Sequence, residues 1–512
     1  MSNGLKEENL NKTTHELKNE LEKYSLQESL SDNINLFKKS VFNNDDSIIY
    51  RKFKNNNIKF CAIFVDGMVN NTIINENVIS PILKCNINDN LENIIEYIDE
   101  EVIAVNDVIK TENLDEIVSG ILYGDTLLLI DGEDKGLIIN TKGWKTRSIT
   151  EPQSESVVIG PREGFTESIN VNLSLIRRRI NNQDLKFKFR KIGTRSRTRV
   201  AIVYVEGIVN NKILNELEKR LDKIDIDGVF CTETIDEFIE DSVISPFRSV
   251  GKTERPDVVS SKLLEGRIAV FSDGCSYALT LPYIFIENFQ VNEDYYTHFI
   301  YGSFNRLLRF IAFFLTTSTP AIFVAITTFH REMLPTKLAM SIYLAREGVP
   351  FPTVIESFGM LVTFEIIREA GVRLPKHIGS AVSIVGALVL GQAAVNARFV
   401  SAPMVIVTAI TGICSFILPQ MQTTLIVIRG IFLIMASFLG LYGYIFAVMG
   451  VLIHLVSLRS FGVPYMLKIN SINAKDIKDT AIRYPWNLLE HRTKFISKDS
   501  RRINNEKRRN RK

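Results

Sequence analysis

The chain has 512 residues, 46% of them hydrophobic, so both a packed core and a membrane domain are open to it. Its net charge of +3 conceals three environments: 36 Lys+Arg against 48 Asp+Glu in residues 1–300, 10 against 5 in 301–458, and 15 against 5 in 459–512. The five cysteines have no CxxC or framework spacing and the six histidines are scattered, which excludes a cysteine scaffold or a metal cluster as the organising feature; reduced thiols and no metal or cofactor are expected.

Residues 1–45 are polar and carry no apolar stretch of the kind that opens an export signal, so they read as a disordered N-terminus. An internal duplication follows. "FVDGMVNN" (64–71) returns as "YVEGIVNN" (204–211), 140 residues on, and "EIVSGILYGDTLLLIDG" (116–132) is echoed by "DVVSSKLLEGRIAVFSDG" (257–274), 142 residues on when Gly124 is matched with Gly266. Two related units at nearly one offset predict a repeated domain. Short β-branched runs such as "IKFCAIFVDG", a helical stretch with Ile213, Leu214, Leu217 and Leu221 on one face, and closing Asp-Gly turns make each unit α/β with a mixed sheet. The expected divisions are 46–140 for the first unit, 141–194 for a connector and 195–300 for the second unit.

The connector holds "GPREGFTESINVNLSLIRRRI" (160–180), where Ile169, Leu173, Ile176 and Ile180 recur at helical spacing. Pro161, Arg162, Glu163 and Gly164 form the loop into this helix. Glu163 and Glu167 lie at its N-terminal end and Arg177, Arg178 and Arg179 at its C-terminal end, as the helix dipole prefers. A solvated helix explains these charges without chemistry. The sharper reading makes Arg162 and Glu163 the joint between the units or between subunits.

From residue 301 to 458 the chain becomes greasy, with uncharged runs at 310–329, 378–397, 399–428 and 430–458, each close to or beyond the roughly 20 residues that cross a bilayer. The first span follows Arg306 and Arg309 and contains Pro320. The stretch 353–375 is helical in period yet carries Glu356, Glu365, Arg368 and Glu369. It is either an interfacial helix with a Glu365–Arg368 pair or a helix buried in protein. Residues 378–397 are rich in Gly, Ala and Ser, which suits close helix packing; Gly386, Val389, Gln392 and Ala393 could equally line a narrow pore. The run 423–458 is too long for one span, so it is a tilted helix or two segments meeting near Gly440. The count is four, five or six crossings. The basic tail, 459–512, and the absence of an export signal favour an even number with both ends cytoplasmic.

Several long motifs in this order, "GPREGFTESINVNLSLIRRRI", "DGCSYALTLPYIFIENFQVNEDYY", "HREMLPTKLAMSI", "FEIIREAGVRLPKHIGSAVSIVGALVLGQAAV", "SAPMVIVTAITGI" and "LRSFGVPYM", resemble the A subunits of the GerA-type spore germination nutrient receptors over about residues 50–470. The resemblance implies two cytoplasmic α/β subdomains followed by a multi-pass domain in the spore inner membrane. It also implies a permease-like B subunit that senses the nutrient, a lipoprotein C subunit, and assembly, as a pentamer, into a nutrient-gated cation channel. A secondary transporter would instead show inverted repeats in the membrane half and a helix broken at mid-bilayer. An enzyme built on Arg162-Glu163 or on Asp66 and Glu206 finds no phosphate loop, nucleophile elbow or metal cluster to support it.

Overall fold

A computed structural model describes residues 24–85, 93–143, 155, 157, 159–373, 391–467, 479–489, 491–493 and 495–498. The first unit opens with a helical run, α1 (30–41), and continues through β1 (Ile48–Asn55), β2 (Ile58–Val65), helical runs α2 (71–84) and α3 (94–102), β3 (Val108–Thr111), α4 (Leu114–Leu122), β4 (Thr126–Ile130) and β5 (Gly136–Ile139). The second repeats it as α5 (Ile169–Arg179), β6 (Leu185–Ile192), β7 (Thr198–Val205), α6 (Asn211–Leu221), α7 (Thr232–Ile239), β8 (Gly251–Thr253), α8 (Pro256–Leu264), β9 (Ile268–Ser272) and β10 (Ala278–Leu281).

The strand orders are β1-β2-β4-β5-β3 and β6-β7-β9-β10-β8, so the duplication extends to topology. Every pairing is antiparallel, which corrects the expected mixed sheet. A parallel pair needs a crossover that returns beside its starting strand. Here the helices after β2 instead carry the chain to the far edge, where β3 pairs with β5. Each sheet is covered on both faces, the first by α1 and α4 on one side and α2 and α3 on the other. In the second, α5 and α8 face α6 and α7 across the sheet. That burial on both sides explains the nearly continuous apolar strands.

The repeat begins earlier than the divisions drawn from sequence. Residues 24–45, read as part of a disordered terminus, include α1, whose Phe37 and the following Phe42 are buried in the first core. Asn33 brackets Gln27 by accepting from its N–H and donating to its carbonyl; Asn172 does the same to Thr166. The backbone N–H of Leu30 donates to Asp131, and that of Ile169 to Asp273. The helix of the opening signature is therefore the second copy of α1, and β6, placed in the connector, is the edge strand of the second sheet.

The second half is a helical bundle: α9 (Phe299–Thr328), α10 (Thr336–Arg346), α11 (Thr353–Arg373), α12 (Ala402–Phe416) and a long helical stretch, Gln422–Ser457. Two stretches among the described residues are long and apolar enough to cross a membrane, Phe299–Thr328 and Pro419–Ser457. The second is broken at Gly440, whose φ of 62° and ψ of −140° leave the helical region. Its halves, α13 (422–439) and α14 (441–457), fold back on each other. Phe432 and Tyr444, twelve residues apart, have ring centroids 5.5 Å apart, whereas a straight helix would separate them by about 18 Å. A Cβ on Gly440 would lie 2.9 Å from the Cβ of Phe329, just beyond α9, so the turn of the hairpin needs both positive φ and no side chain.

The chain then returns to the second unit. Ser460 donates to the carbonyl of Ser249, and Phe461 and Val463 join the second core. In the first unit Val69 bridges Lys142, immediately after β5; in the second, Val209 bridges Ser497. The C-terminal segment thus fills the place that residues 141–143 fill in the first repeat, because the chain after β10 departs towards α9.

Candidate functional site

The acidic helix α11 settles between its neighbours. Glu365 meets Arg429 of α13 at 2.5 Å and Arg368 of its own helix at 2.6 Å. Leu361 packs with Leu433 and with Val324 of α9, so α11 and α13 run antiparallel, one turn of each matched to one of the other. Glu356, fully buried, accepts from the backbone N–H and the hydroxyl of Ser401, each at 2.5 Å, at the start of α12. A carboxylate at a helix N-terminus satisfies orphan N–H groups and matches the dipole. Arg346, from α10, lies 3.8 Å from the same carboxylate. Glu369 is exposed and pairs with Arg373.

Of the features expected for 353–375, the Glu365–Arg368 pair is present, and two of the three acids also face other helices while exposed Ile355, Val362 and Ile366 lie along the outward side. Gln392 and Ala393 lie in a helical stretch, 391–396, and are exposed. Gly386 and Val389 lie outside the described residues. Arg429 was not anticipated as a partner; as the lone charge between 399 and 458, it was the available signal.

Where the bundle meets the second unit, charges converge again. Asp294, 1% exposed, takes a two-pronged hydrogen bond from Arg309 at 2.7 and 2.9 Å, and Arg306 pairs with Asp479 at 2.9 Å. Planar guanidinium–carboxylate pairing satisfies groups that could not otherwise be buried. These arginines therefore anchor the N-terminal end of α9. Thr424 of α13 donates to the carbonyl of Pro246 at 2.5 Å, and His454 of α14 shares a 2.9 Å hydrogen bond with Ser245. Both ends of the hairpin thus touch one loop of the second unit. Glu155 accepts from Thr253 at 2.5 Å and from Gln420, in the turn before α13, at 3.3 Å. Burial pushes the Glu155 carboxyl above the usual range, against the pull of the Thr253 and Glu254 hydrogen bonds.

The signature loop is a brace. The carbonyl of Pro161 accepts from Arg255 at 2.8 Å, Glu163 pairs with Arg179 at 2.5 Å, and the carbonyl of Glu167 accepts from the N–H of Gly274. Arg162 is exposed and Gly164 buried. The expected solvated helix is overturned: no residue of α5 is exposed, and Arg177 in its last turn is 1% exposed, bound to Asp45 at 2.7 Å and to Ser47 at 3.1 Å. Arg177 joins the two units, while Glu163 pairs with Arg179 of the same unit. Glu206 completes the joint, accepting from Asn43 at 2.6 Å beside Lys186, and Asp66 lies 3.9 Å from Arg199.

Two thiols also depart from expectation. Cys231 and Cys275 form a disulfide that ties the start of α7 to the turn between β9 and β10. A separation of 44 residues hides a Cα distance of 5.1 Å that the second sheet creates. Glu233 lies beside them, but sulfurs bonded to each other offer a metal no thiolate.

Residues 35–495 match the model of a family described as Bacillus/Clostridium GerA spore germination protein. Among individual relatives, spore germination protein KA of Bacillus subtilis (strain 168) is 42% identical over 92% of this chain and 88% of its own length. Spore germination protein GerLA of Bacillus cereus is 40% identical over 80% and 83%. A B. subtilis protein known as the uncharacterized membrane protein YfkQ is 40% identical over 86% of each chain. Among solved structures, the N-terminal domain of the A subunit of the Bacillus megaterium spore germinant receptor GerK3 is 33% identical and covers 51% of this chain and 98% of that one, with a TM-score of 0.41.

Proposed function

The chain belongs to the GerA family of spore germination proteins as a receptor A subunit, a non-enzymatic membrane protein, and on that premise we propose that copies of it assemble into a nutrient-gated cation pathway in the spore inner membrane. In this reading a permease-like B subunit senses the nutrient and a lipoprotein C subunit completes the receptor. In this reading the chain crosses six times: α9, α11, the apolar run 378–397 of the sequence, α12, α13 and α14. The two ends of the α13–α14 hairpin and the C-terminal segment all return to the second unit, which supports soluble units and tail on one, cytoplasmic, side.

The observation that carries the pathway is the Glu365–Arg429–Arg368 group. It sits about 10 Å along α13 from the end nearest the second unit, on a helix whose exposed side is lined by Val427, Ile431, Ile434 and Phe438. Ionised groups at that depth belong against protein or a water-filled passage. The exposed Gln392 and Ala393, and every residue of α10 being at least partly exposed, leave surface for neighbouring copies. The transporter alternative is less well supported. The break at Gly440 lies at the hairpin turn beside Phe329, and the repeat recognised in the described residues is confined to the soluble half.

The test is ion flux through vesicles containing the purified full chain, alone and with its receptor partners. If Val389 narrows the passage, Val389→Ala leaks monovalent cations without nutrient and triggers germination in spores. A variant that conducts and germinates like its parent removes Val389 from the gate, and no flux under any nutrient with all partners present removes the channel itself.

A further inference from the structure

The loop between α7 and β8 ends in two of the most exposed large apolar side chains described: Val243 at 70% and Ile244 at 97%. Loop tips are ordinarily polar, because they face water. This one is not free to wander. The next two residues, Ser245 and Pro246, are the ones bonded to His454 at the end of α14 and to Thr424 at the start of α13. At the tip's other end, Asp241 accepts from Phe461 and pairs with Arg220 of α6. The apolar pair is thus held level with both soluble ends of a hairpin whose arms, about 27 Å long, match the roughly 30 Å hydrocarbon layer. On α14, Ile453 and Val456 flank His454 and are exposed, so the outward apolar surface of the hairpin continues onto the loop. Arg248, four residues past Ile244, is exposed as well.

We propose that Val243 and Ile244 insert into the headgroup–acyl boundary of the lipid bilayer, so that the loop anchors the second soluble unit to the membrane surface beside the α13–α14 hairpin. Two apolar side chains at a fixed tip, with a guanidinium set back to meet lipid phosphate, are what a shallow interfacial contact requires. The neighbouring outward surface is lipid-facing if the hairpin spans, and an apolar tip continuous with it shares its solvent. The proposal rests on the membrane placement of α13 and α14 and is independent of channel activity. It assigns the loop a consequence for coupling: the loop ties the lipid surface, the hairpin ends and α7 into one body.

The test uses the full chain in lipid vesicles, with its two tryptophans replaced (Trp144→Phe, Trp486→Phe) and one reporter introduced at a time. Ile244→Trp reads the loop, Ile434→Trp reads an exposed position within α13, and Phe230→Trp reads an exposed position at the opposite end of α7. All three side chains are exposed or half-exposed, so folding does not depend on them. With lipids brominated near the headgroup, Ile244→Trp loses most of its emission, Phe230→Trp keeps it, and Ile434→Trp is quenched by lipids brominated deeper in the chain. Vesicles containing anionic lipid deepen the Ile244→Trp quenching, and Arg248→Ala abolishes that increment. If Ile244→Trp resists quenching while Ile434→Trp does not, the anchor is wrong and the spanning hairpin stands. Resistance at both positions overturns both. Resistance at Ile244→Trp together with cross-linking of an Ile244→Cys variant to a second copy or a receptor partner shows that protein, not lipid, covers the tip, and overturns the proposal equally.

Discussion

Arg177 and Asp45 meet at 2.7 Å with both side chains 1% exposed, joining the second repeat's first helix to the segment that leads into β1 of the first. Burial pulls the guanidinium's pKa down and Asp45 pushes it back up. The Ser47 hydroxyl and the carbonyls of Asn182 and Leu185 take further N–H groups, and the ring of Phe187 lies beneath the guanidinium. A buried pair of this kind specifies which surfaces meet, and it is vulnerable to losing one partner.

Asp45→Ala leaves the Arg177 charge buried and unpaired, and it is expected to destabilise the soluble half by about 3–5 kcal/mol. Replacing both residues with apolar ones of similar size (Asp45→Leu with Arg177→Met) costs much less. Thermal unfolding of the purified full chain, followed through the soluble units, distinguishes the two. Equal losses would mean that the charge pair is not the determinant of the joint.

The tail contact can be broken without touching the tail. Gly266 has a φ of +93°, and a Cβ there would lie 2.7 Å from the Cβ of Ser497. Gly266→Ala therefore combines left-handed strain, about 1–3 kcal/mol, with displacement of residues 495–498. Hydrogen exchange at Lys498, whose N–H donates to the carbonyl of Ile208, should accelerate. The equivalent donor in the first repeat, Gly143, which bonds Met68, should be unchanged.

Arg429→Leu deprives Glu365 of its interhelical partner and leaves it with Arg368 alone. A carboxylate half-uncompensated at that depth is expected to cost about 2–4 kcal/mol, read as lower steady-state protein in membranes. Glu365→Gln in the same chain should restore part of the level. Loss of level with no rescue by the double variant would argue against pairing as the cause.

Thiol chemistry gives a prediction with a pH window. Burial pushes the Cys61 thiol up from 9.0 to about 12, so it remains protonated and unreactive towards alkylating reagents at pH 8. Because its folded pKa is raised, the stability it contributes is complete below pH 9 and is lost as pH rises towards 12. Cys231 and Cys275 should label only after reduction and unfolding or local opening. Mass spectrometry of alkylated protein before and after reductant checks all three; labelling of native Cys61 at pH 8 would contradict its burial.

Much of this architecture is written locally. Nearly equal offsets of 140 and 142 residues between motifs exposed the duplication, because turn glycines and strand ends are local demands that each copy must meet. Apolar runs longer than a core helix marked the bundle for the same reason, since backbone groups in such a run need helical partners wherever it lies. The helix of the signature segment was likewise legible from the spacing of Ile169, Leu173 and Ile176.

What escaped depends on partners distant in sequence. Nothing near Arg177 distinguishes it from Arg178 and Arg179; only Asp45, 132 residues away, makes it a buried joint. Polar residues 24–45 concealed α1, since its apolar positions gain meaning from the sheet they cover. Cys231 and Cys275 became a pair once the second sheet had brought them together, and Glu365 acquired Arg429 once α11 and α13 ran antiparallel. The sequence by itself determined the repeat, the family and the helical segments apart from α1. The tertiary structure decided strand direction, the fold-back at Gly440, the closing of the second repeat by the tail and the placing of Ile244 at the hairpin ends. Local propensity is a property of a few neighbouring residues, whereas each of these is a choice among pairings that only the packed chain makes.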